Sequence, residues 1–248
     1  MLQPSGEAIL KSDKRAPIIH LRPFIKDSLT EKLTRVKIGP LIFIPDPRVE
    51  DDIAGVLNCI GPFIALGKPG QRLPETGAYR LYVDSEHWEG TIIELYSVCR
   101  FVIVLGVADT KNVVWEIQQA MQRLRPDQIV FMFPYPYNYK QSEFSYQNFK
   151  RAVEDYFPHP FPDELGKRIL LGFSADWKPR FIGDPGIGAP QRRAAFLSLV
   201  RRFEPDFREP PFWRVVPTPR LYLFAGVCVI WASLMIALIA WAIENFPS

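Results

Sequence analysis

The chain has 248 residues, of which 48% are hydrophobic and 23% are charged, and its formal net charge is +3. This length allows one or two domains with a core that needs no disulfide bonds. Three cysteines exclude a disulfide-rich scaffold, and the small net charge argues against non-specific binding of nucleic acid, so no nucleic-acid partner is expected.

Short apolar runs alternate with amphipathic helical patterns after a polar leader at residues 1–15. The leader lacks the apolar stretch of a secretory signal, so the body that follows is predicted to be cytoplasmic. The run at 41–44 fits a strand or a hairpin arm equally well. Strands are predicted at residues 18–21, 63–66, 79–83, 101–105, 129–133 and 169–173, and helices at 48–60, 85–98, 112–124, 144–157 and 190–203.

The run Phe-Val-Ile-Val-Leu at residues 101–105 is continuously apolar. That pattern is typical of a strand that is buried on both faces of a parallel sheet. Strands that alternate with helices form βαβ units, whose right-handed crossovers place helices on both faces of the sheet. Residues 16–203 are therefore predicted to form one α/β domain that is doubly wound around a mainly parallel sheet.

The C-terminal part of the chain is predicted to cross a membrane once. Residues 221–243 carry no charge, and a helix of that length spans about 34 Å, enough for a hydrocarbon core of about 30 Å. A linker at 204–220, rich in proline and arginine, precedes this segment, and a short tail at 244–248 follows it. The arginines place the domain on the cytoplasmic side and the C-terminus outside, with the lipid bilayer as a partner. A buried core helix is the alternative.

Ligands of parallel sheets bind beyond the carboxyl ends of the strands. Glycines let backbone N–H groups approach a ligand, cations meet phosphate, and aromatic rings stack on a base. The residue types at these strand ends are typical of a nucleotide site, although surface loops are polar and glycine-rich in general. The candidate ligand-binding residues are Arg22, Phe24, Gly67, Lys68, Gly70, Gly106, Asp109 and Thr110.

Glu116 is the candidate catalytic residue. It follows the strand at 101–105 by a short loop, and the helical pattern places it in the first turn of the next helix, at the edge of the buried face. A carboxylate there could accept hydrogen bonds from two ribose hydroxyls, or it could stabilise a developing cationic sugar. The alternative is a helix N-terminal glutamate that is favoured by the helix dipole.

Metal-binding and hydrolase motifs are missing from the sequence. His20, His87 and His159 lie far apart, and none has a cysteine or glutamate at the spacing of a metal site, so no bound metal is expected. The Gly-x-Ser-x-Gly motif of many hydrolases is also missing. Candidate chemistry therefore centres on the carboxylate of Glu116.

Residues 99–106, followed after a short loop by Trp115, Glu116 and Ile117, resemble the central strand and next helix of TIR (Toll/interleukin-1 receptor) domains. The order of elements over residues 16–175 is similar as well. The resemblance implies a flavodoxin-like fold and adds Trp115 to the candidate ligand-binding residues. In TIR enzymes the helix glutamate supports cleavage of NAD at the nicotinamide bond, and the resemblance implies that role for Glu116.

The opening strand with Arg22, Phe24 and Asp27 is similar to the start of a TIR domain. TIR domains usually carry Trp-Cys-x-x-Glu-Leu, whereas here the glutamate directly follows the tryptophan. The run at 109–117 is also similar to nucleoside deoxyribosyltransferases, which use a glutamate near a ribose. The whole chain with its tail anchor resembles bacterial tail-anchored membrane proteins.

The sequence leaves three functional hypotheses open. The first is a membrane-tethered TIR-like domain that binds a nucleotide and cleaves NAD as its substrate, without a tightly bound cofactor. The second is a non-catalytic TIR-like module that self-associates and signals at the membrane, which the displaced glutamate favours. The third is an enzyme of the nucleoside deoxyribosyltransferase type.

Overall fold

The computed structural model of the chain divides into two compact units, Met1–Phe207 and Arg208–Ser248. In the second unit, Trp231 and Met235 have helical backbone and are about half exposed. The sheet and the helices around it belong to the first unit. The residues that the structure describes are 4–21, 49–67, 77–84, 86–106, 111–133, 139–186 and 188–209, together with Trp231 and Met235.

The described strands form one seven-stranded sheet in the order β3-β2-β1-β4-β5-β6-β7. Neighbouring strands from β3 to β5 run parallel, whereas β6 is antiparallel to β5 and β7 is antiparallel to β6. The prediction of a mainly parallel sheet is therefore confirmed. The strands are β1 (Ile18–Leu21), β2 (Phe63–Gly67), β3 (Tyr79–Tyr82), β4 (Phe101–Leu105), β5 (Ile129–Met132), β6 (Leu170–Phe173) and β7 (Pro179–Ile182).

Helices cover both faces of this sheet. Side chains of α3, α4 and α5 pack into one core cluster, which partly buried residues of α1 also contact, and side chains of α2 and α6 pack into a second cluster on the opposite face. This arrangement agrees with the predicted α/β class. The described helices are α1 (Gly6–Ser12), α2 (Val49–Leu57), α3 (Trp88–Val98), α4 (Lys111–Arg123), α5 (Tyr139–Val153) and α6 (Ala189–Phe203).

Strand β4 explains why the core has two halves. Val102 and Val104 pack in the first cluster, whereas Phe101 and Ile103 pack in the second, and all four are fully buried. Successive side chains of a strand point to opposite faces, so a continuous apolar run can serve two layers of helices. The predicted two-sided burial of this strand is confirmed.

Several helix boundaries differ from their predicted positions, among them the end of α2 and the starts of α3 and α5, which differ by three or more residues. Helix α2 ends at Leu57, because the Asn58 side chain accepts the backbone N–H of Phe63 and closes a turn. Helix α3 begins at Trp88, since the Asp84 carboxylate accepts the N–H of His87 and holds the residues before the helix in another turn. Helix α5 begins at residue 139 instead of 144.

Two elements appear where no helix or strand was predicted. Helix α1 lies within the segment interpreted as a polar leader, and its Gly6 packs against the backbone of Arg80 and Leu81 in β3. Strand β7 begins at Pro179, and most of its side chains are not buried, so it lacks the apolar run that marks the other strands. The run at 41–44 lies outside the described residues.

The carboxyl ends of β1 and β4 form the topological switch point of the parallel strands. β1 pairs with β2 on one side and with β4 on the other, so the sheet grows in opposite directions from this pair. In open α/β sheets a crevice forms at that position. The fold thus places a candidate site where α4 follows β4.

No helix among the described residues is long and apolar enough to span a bilayer. Apart from Trp231 and Met235, the predicted membrane segment at 221–243 lies outside those residues, so its prediction stands untested.

We expect Gly106→Ala to destabilise the fold by about 1–3 kcal/mol, the usual range for an overpacked core. A Cβ at Gly106 would lie 2.1 Å from the Cε1 atom of Phe133. That ring is fully buried and contacts Tyr146 and Phe149, so it has little room to move. Urea unfolding followed by circular dichroism gives the free energy of unfolding of each variant.

Gly90→Ala is the matched control, because a Cβ at Gly90 in α3 meets nothing within 4 Å. Alanine should stabilise this helix by about 0.5–1 kcal/mol. Equal free energies of unfolding for Gly106→Ala and the wild-type protein would contradict the packing argument.

Candidate functional site

Glu116 is the sixth residue of α4, which begins at Lys111 directly beyond the carboxyl edge of β4. It therefore lies in the second helical turn, about 7.5 Å along the axis from Lys111. The predicted first-turn position is wrong, because Glu116 lies more than one turn of about 3.6 residues past the start of the helix, whether that start is residue 111 or the predicted residue 112. The alternative, in which the helix dipole stabilises the charge of Glu116, is therefore not supported, because that stabilisation falls off within the first turn.

The Glu116 side chain is buried in the apolar stripe of α4 that includes Val113, Ile117 and Ala120. Only 6% of the residue is exposed. Its Oε2 atom has no hydrogen-bond partner among the described residues. Burial raises the pKa of Glu116 to about 8, because the charged form loses hydration. At neutral pH most of the carboxyl is therefore protonated, and it can donate a hydrogen bond.

Helix α3 contacts α4 at Trp115 and at the main chain of Glu116. The rings of Trp88 and Trp115 meet edge to face, with centroids 5.0 Å apart. The Tyr96 hydroxyl donates a hydrogen bond to the main-chain carbonyl of Glu116 at 3.0 Å. The Trp115 ring is thus packed against α3, and its role in ligand binding stays a prediction.

The sequence does not show that Tyr96 contacts Glu116 or that Trp88 contacts Trp115. The sequence carries one signal for the first of these contacts, because a tyrosine in the apolar stripe with Ile92 and Leu95 needs a hydrogen-bond partner for its hydroxyl. The stripe does not identify that partner, because the carbonyl of residue 116 lies 20 residues further along the chain.

Close packing accounts for the two candidate glycines that the structure describes. A Cβ at Gly67, the last residue of β2, would lie 3.0 Å from the Tyr82 ring, and one at Gly106 would overlap Phe133. The N–H of Gly106 donates to the carbonyl of Met132 at 2.8 Å. Both glycines therefore have a role in packing, and ligand binding at either one stays a prediction.

Besides the two glycines, the structure describes Trp115 and Glu116 of the sequence-predicted residues, which are consecutive on α4. The other predicted ligand-binding residues lie outside the described part of the chain, and their roles stay predictions. These residues are Arg22, Phe24, Lys68, Gly70, Asp109 and Thr110.

A second buried polar group lies on the opposite face of the sheet. His20 and Arg80 are 4% and 3% exposed, and both pair in register with Ala65 of β2, which lies between them. The His20 ring stacks on Phe63 of the second cluster, with centroids 5.3 Å apart. These side chains are thus separated from Glu116 by the sheet itself.

Among the described residues, no group of three or more His, Cys, Asp or Glu side chains could hold a metal ion. The buried thiol of Cys99 is held well away from reactivity, since burial raises its pKa to about 12. In the described part of the chain, the candidate chemistry on this face is that of the protonated Glu116 carboxyl group.

Comparisons with known proteins found no match. No family model matches the chain, and neither the curated proteins nor the solved structures include a match.

We expect the stability of the wild-type protein to fall relative to Glu116→Gln as the pH rises from about 5 to about 9. The folded pKa of about 8 lies above the ordinary value of 4.5, so the folded state holds a proton that the unfolded state releases. Ionisation of this carboxyl therefore opposes folding, by at most about 5 kcal/mol above pH 8. Glutamine does not ionise, so the free energy of unfolding of Glu116→Gln lacks this decrease.

Urea unfolding at several pH values measures this difference. Glu94→Gln is the matched control, because Glu94 is exposed on the neighbouring helix α3. Parallel stability profiles for the wild-type protein and Glu116→Gln would contradict the buried, protonated state of Glu116.

Proposed function

We propose that this protein is a TIR-like domain that binds a nucleotide at the carboxyl edge of its sheet and cleaves NAD at the nicotinamide–ribose bond. The observation that carries this proposal is the buried Glu116 carboxyl, which lacks a described partner for Oε2 and lies on the helix that follows β4 at the switch point. A buried acid with a strongly raised pKa in such a position is a common feature of catalytic sites.

The chemistry needs little from the protein beyond this one group. The bond between the nicotinamide nitrogen and the ribose carbon breaks, and its electron pair leaves with nicotinamide, which becomes neutral. Water then adds to the ribose carbon and loses a proton. The ionised Glu116 carboxylate would stabilise the positive charge that develops on the ribose, whereas the protonated form would only hydrogen-bond its hydroxyls.

The surroundings of Glu116 suit this role. Low exposure excludes water, so a carboxylate formed here acts on a nearby cation more strongly than it would in solution. Trp115, partly buried and in edge-to-face contact with Trp88, supplies an apolar surface next to the carboxyl group. An aromatic base can pack on such a surface.

We further propose that residues 221–243 anchor the domain to a bilayer, with the domain on the cytoplasmic side. The support is the uncharged length of this segment together with the arginines that precede it.

We expect the full-length protein, purified in mild detergent, to release nicotinamide from NAD. Glu116→Gln should lower kcat by at least about 100-fold, because glutamine cannot stabilise the ribosyl cation. The wild-type rate should rise between pH 6 and pH 9 with a midpoint near 8, since the active carboxylate forms as the pH passes the pKa of Glu116. Chromatographic measurement of free nicotinamide provides the rates.

Glu94→Gln is again the control, and its activity should match that of the wild-type protein. No nicotinamide release at high protein concentration would overturn the enzyme proposal in favour of the non-catalytic module. Release that survives Glu116→Gln would keep the activity and discard Glu116 as the catalytic residue.

An epitope tag after Ser248 should be cleaved by protease added outside intact cells. A tag before Met1 should be cleaved only after lysis, because the domain is proposed to be cytoplasmic. Immunoblotting of both tagged proteins measures this, and a protected C-terminal tag would rule out the proposed topology.

A further inference from the structure

Tyr96 connects helix α3 to the backbone of α4 at Glu116. It is 3% exposed in α3, and its hydroxyl donates to the carbonyl of Glu116 at 3.0 Å. Within a helix, the carbonyl of residue 116 faces the N–H of residue 120, so the phenol occupies its second lone pair. The bond therefore ties the backbone of α4 to α3 at the residue that carries the candidate carboxyl.

The same short stretch of α4 is held from two points on α3. Trp88 contacts Trp115 at one point, and Tyr96, about 12 Å further along the helix, bonds to the next residue at the other. Because these contacts fall on consecutive residues, they restrict rotation of α4 about its axis at this level. Such a rotation would carry the Glu116 side chain out of the buried stripe.

The Tyr96 hydroxyl also stays protonated, so it can always donate its hydrogen bond. Burial raises the pKa of Tyr96 well above its usual value, and the charges of Glu116 and Cys99 raise it further, whereas Arg123 lowers it. Tyr96 therefore keeps its proton whenever Glu116 changes its own charge. An electrostatic influence of Glu116 on Tyr96 also agrees with their proximity.

We propose that Tyr96 is a positioning residue for Glu116, whose hydroxyl holds the second turn of α4 against α3 and thereby keeps the carboxyl in its buried position. The catalytic part of this inference rests on the proposed function, whereas the structural part does not. Loss of the hydroxyl leaves a buried carbonyl with one partner fewer, and water entering beside it would hydrate the carboxyl.

The test compares Tyr96→Phe with Tyr146→Phe in the full-length protein. Tyr146 is fully buried in α5, and its hydroxyl likewise donates to a main-chain carbonyl, that of Pro162, at 2.5 Å. Both variants lose the same kind of hydrogen bond and keep the ring. Carbon-13 NMR of labelled glutamate side chains follows the titration of Glu116 in each protein.

We expect Tyr96→Phe to lower the titration midpoint of Glu116 by about one pH unit or more, because the carboxyl becomes better hydrated. Tyr146→Phe should leave the midpoint where it is in the wild-type protein. The pH profile of nicotinamide release should move with the midpoint in Tyr96→Phe, with a lower kcat and little change in KM. An unchanged midpoint in Tyr96→Phe, or equal shifts in the two variants, would overturn the inference.

A measurement on the wild-type protein provides a second check that no substitution can disturb. The Cζ resonance of the Tyr96 ring should follow the titration of Glu116, whereas that of Tyr146 should not. Its failure to respond would also overturn the inference. Absence of nicotinamide release would defeat the proposed function alone, since both NMR readouts need no nucleotide.

Discussion

The pairing of β1 with β4 is the constraint on which the rest of the structure depends. The register runs from Ile18 opposite Phe101 to Leu21 opposite Val104, and all of these side chains are buried. Because alternate residues serve opposite faces, a slip of one residue would exchange the two core clusters and cost most of the apolar burial. This register fixes where β4 ends, and therefore where α4 begins and on which face it lies.

Glu116 is the one acidic residue in the buried stripe of α4, which otherwise consists of apolar residues. Leucine or alanine at this position would satisfy the core better, because a buried carboxyl without a described partner for Oε2 opposes folding. A local conflict of this kind is expected where a side chain is kept for its chemistry. Under the proposed function, the same burial that disfavours the charge on Glu116 would strengthen its interaction with a cationic sugar.

The sequence predicts the sheet well, because its strands are short apolar runs whose periodicity is local. It does not predict β7, in which one of four side chains is buried, and it assigns Glu116 to the first turn of α4 instead of the second. The hydrogen bond from Tyr96 to residue 116 could not be predicted from the sequence, since it joins two helices that only the sheet brings together. Local patterns thus locate the helix of the candidate site, and long-range contacts define its surroundings.

Arg100, which directly precedes β4, connects the start of β1 to the end of α6. Its N–H donates to the carbonyl of Pro17, which precedes β1, and its guanidinium pairs with the carboxylate of Glu204, which follows α6. Both segments therefore meet at the amino edge of the strands, at the opposite end from the candidate site. A break of the Arg100–Glu204 ion pair would therefore loosen the end of α6 at the edge of the sheet that lies away from Glu116.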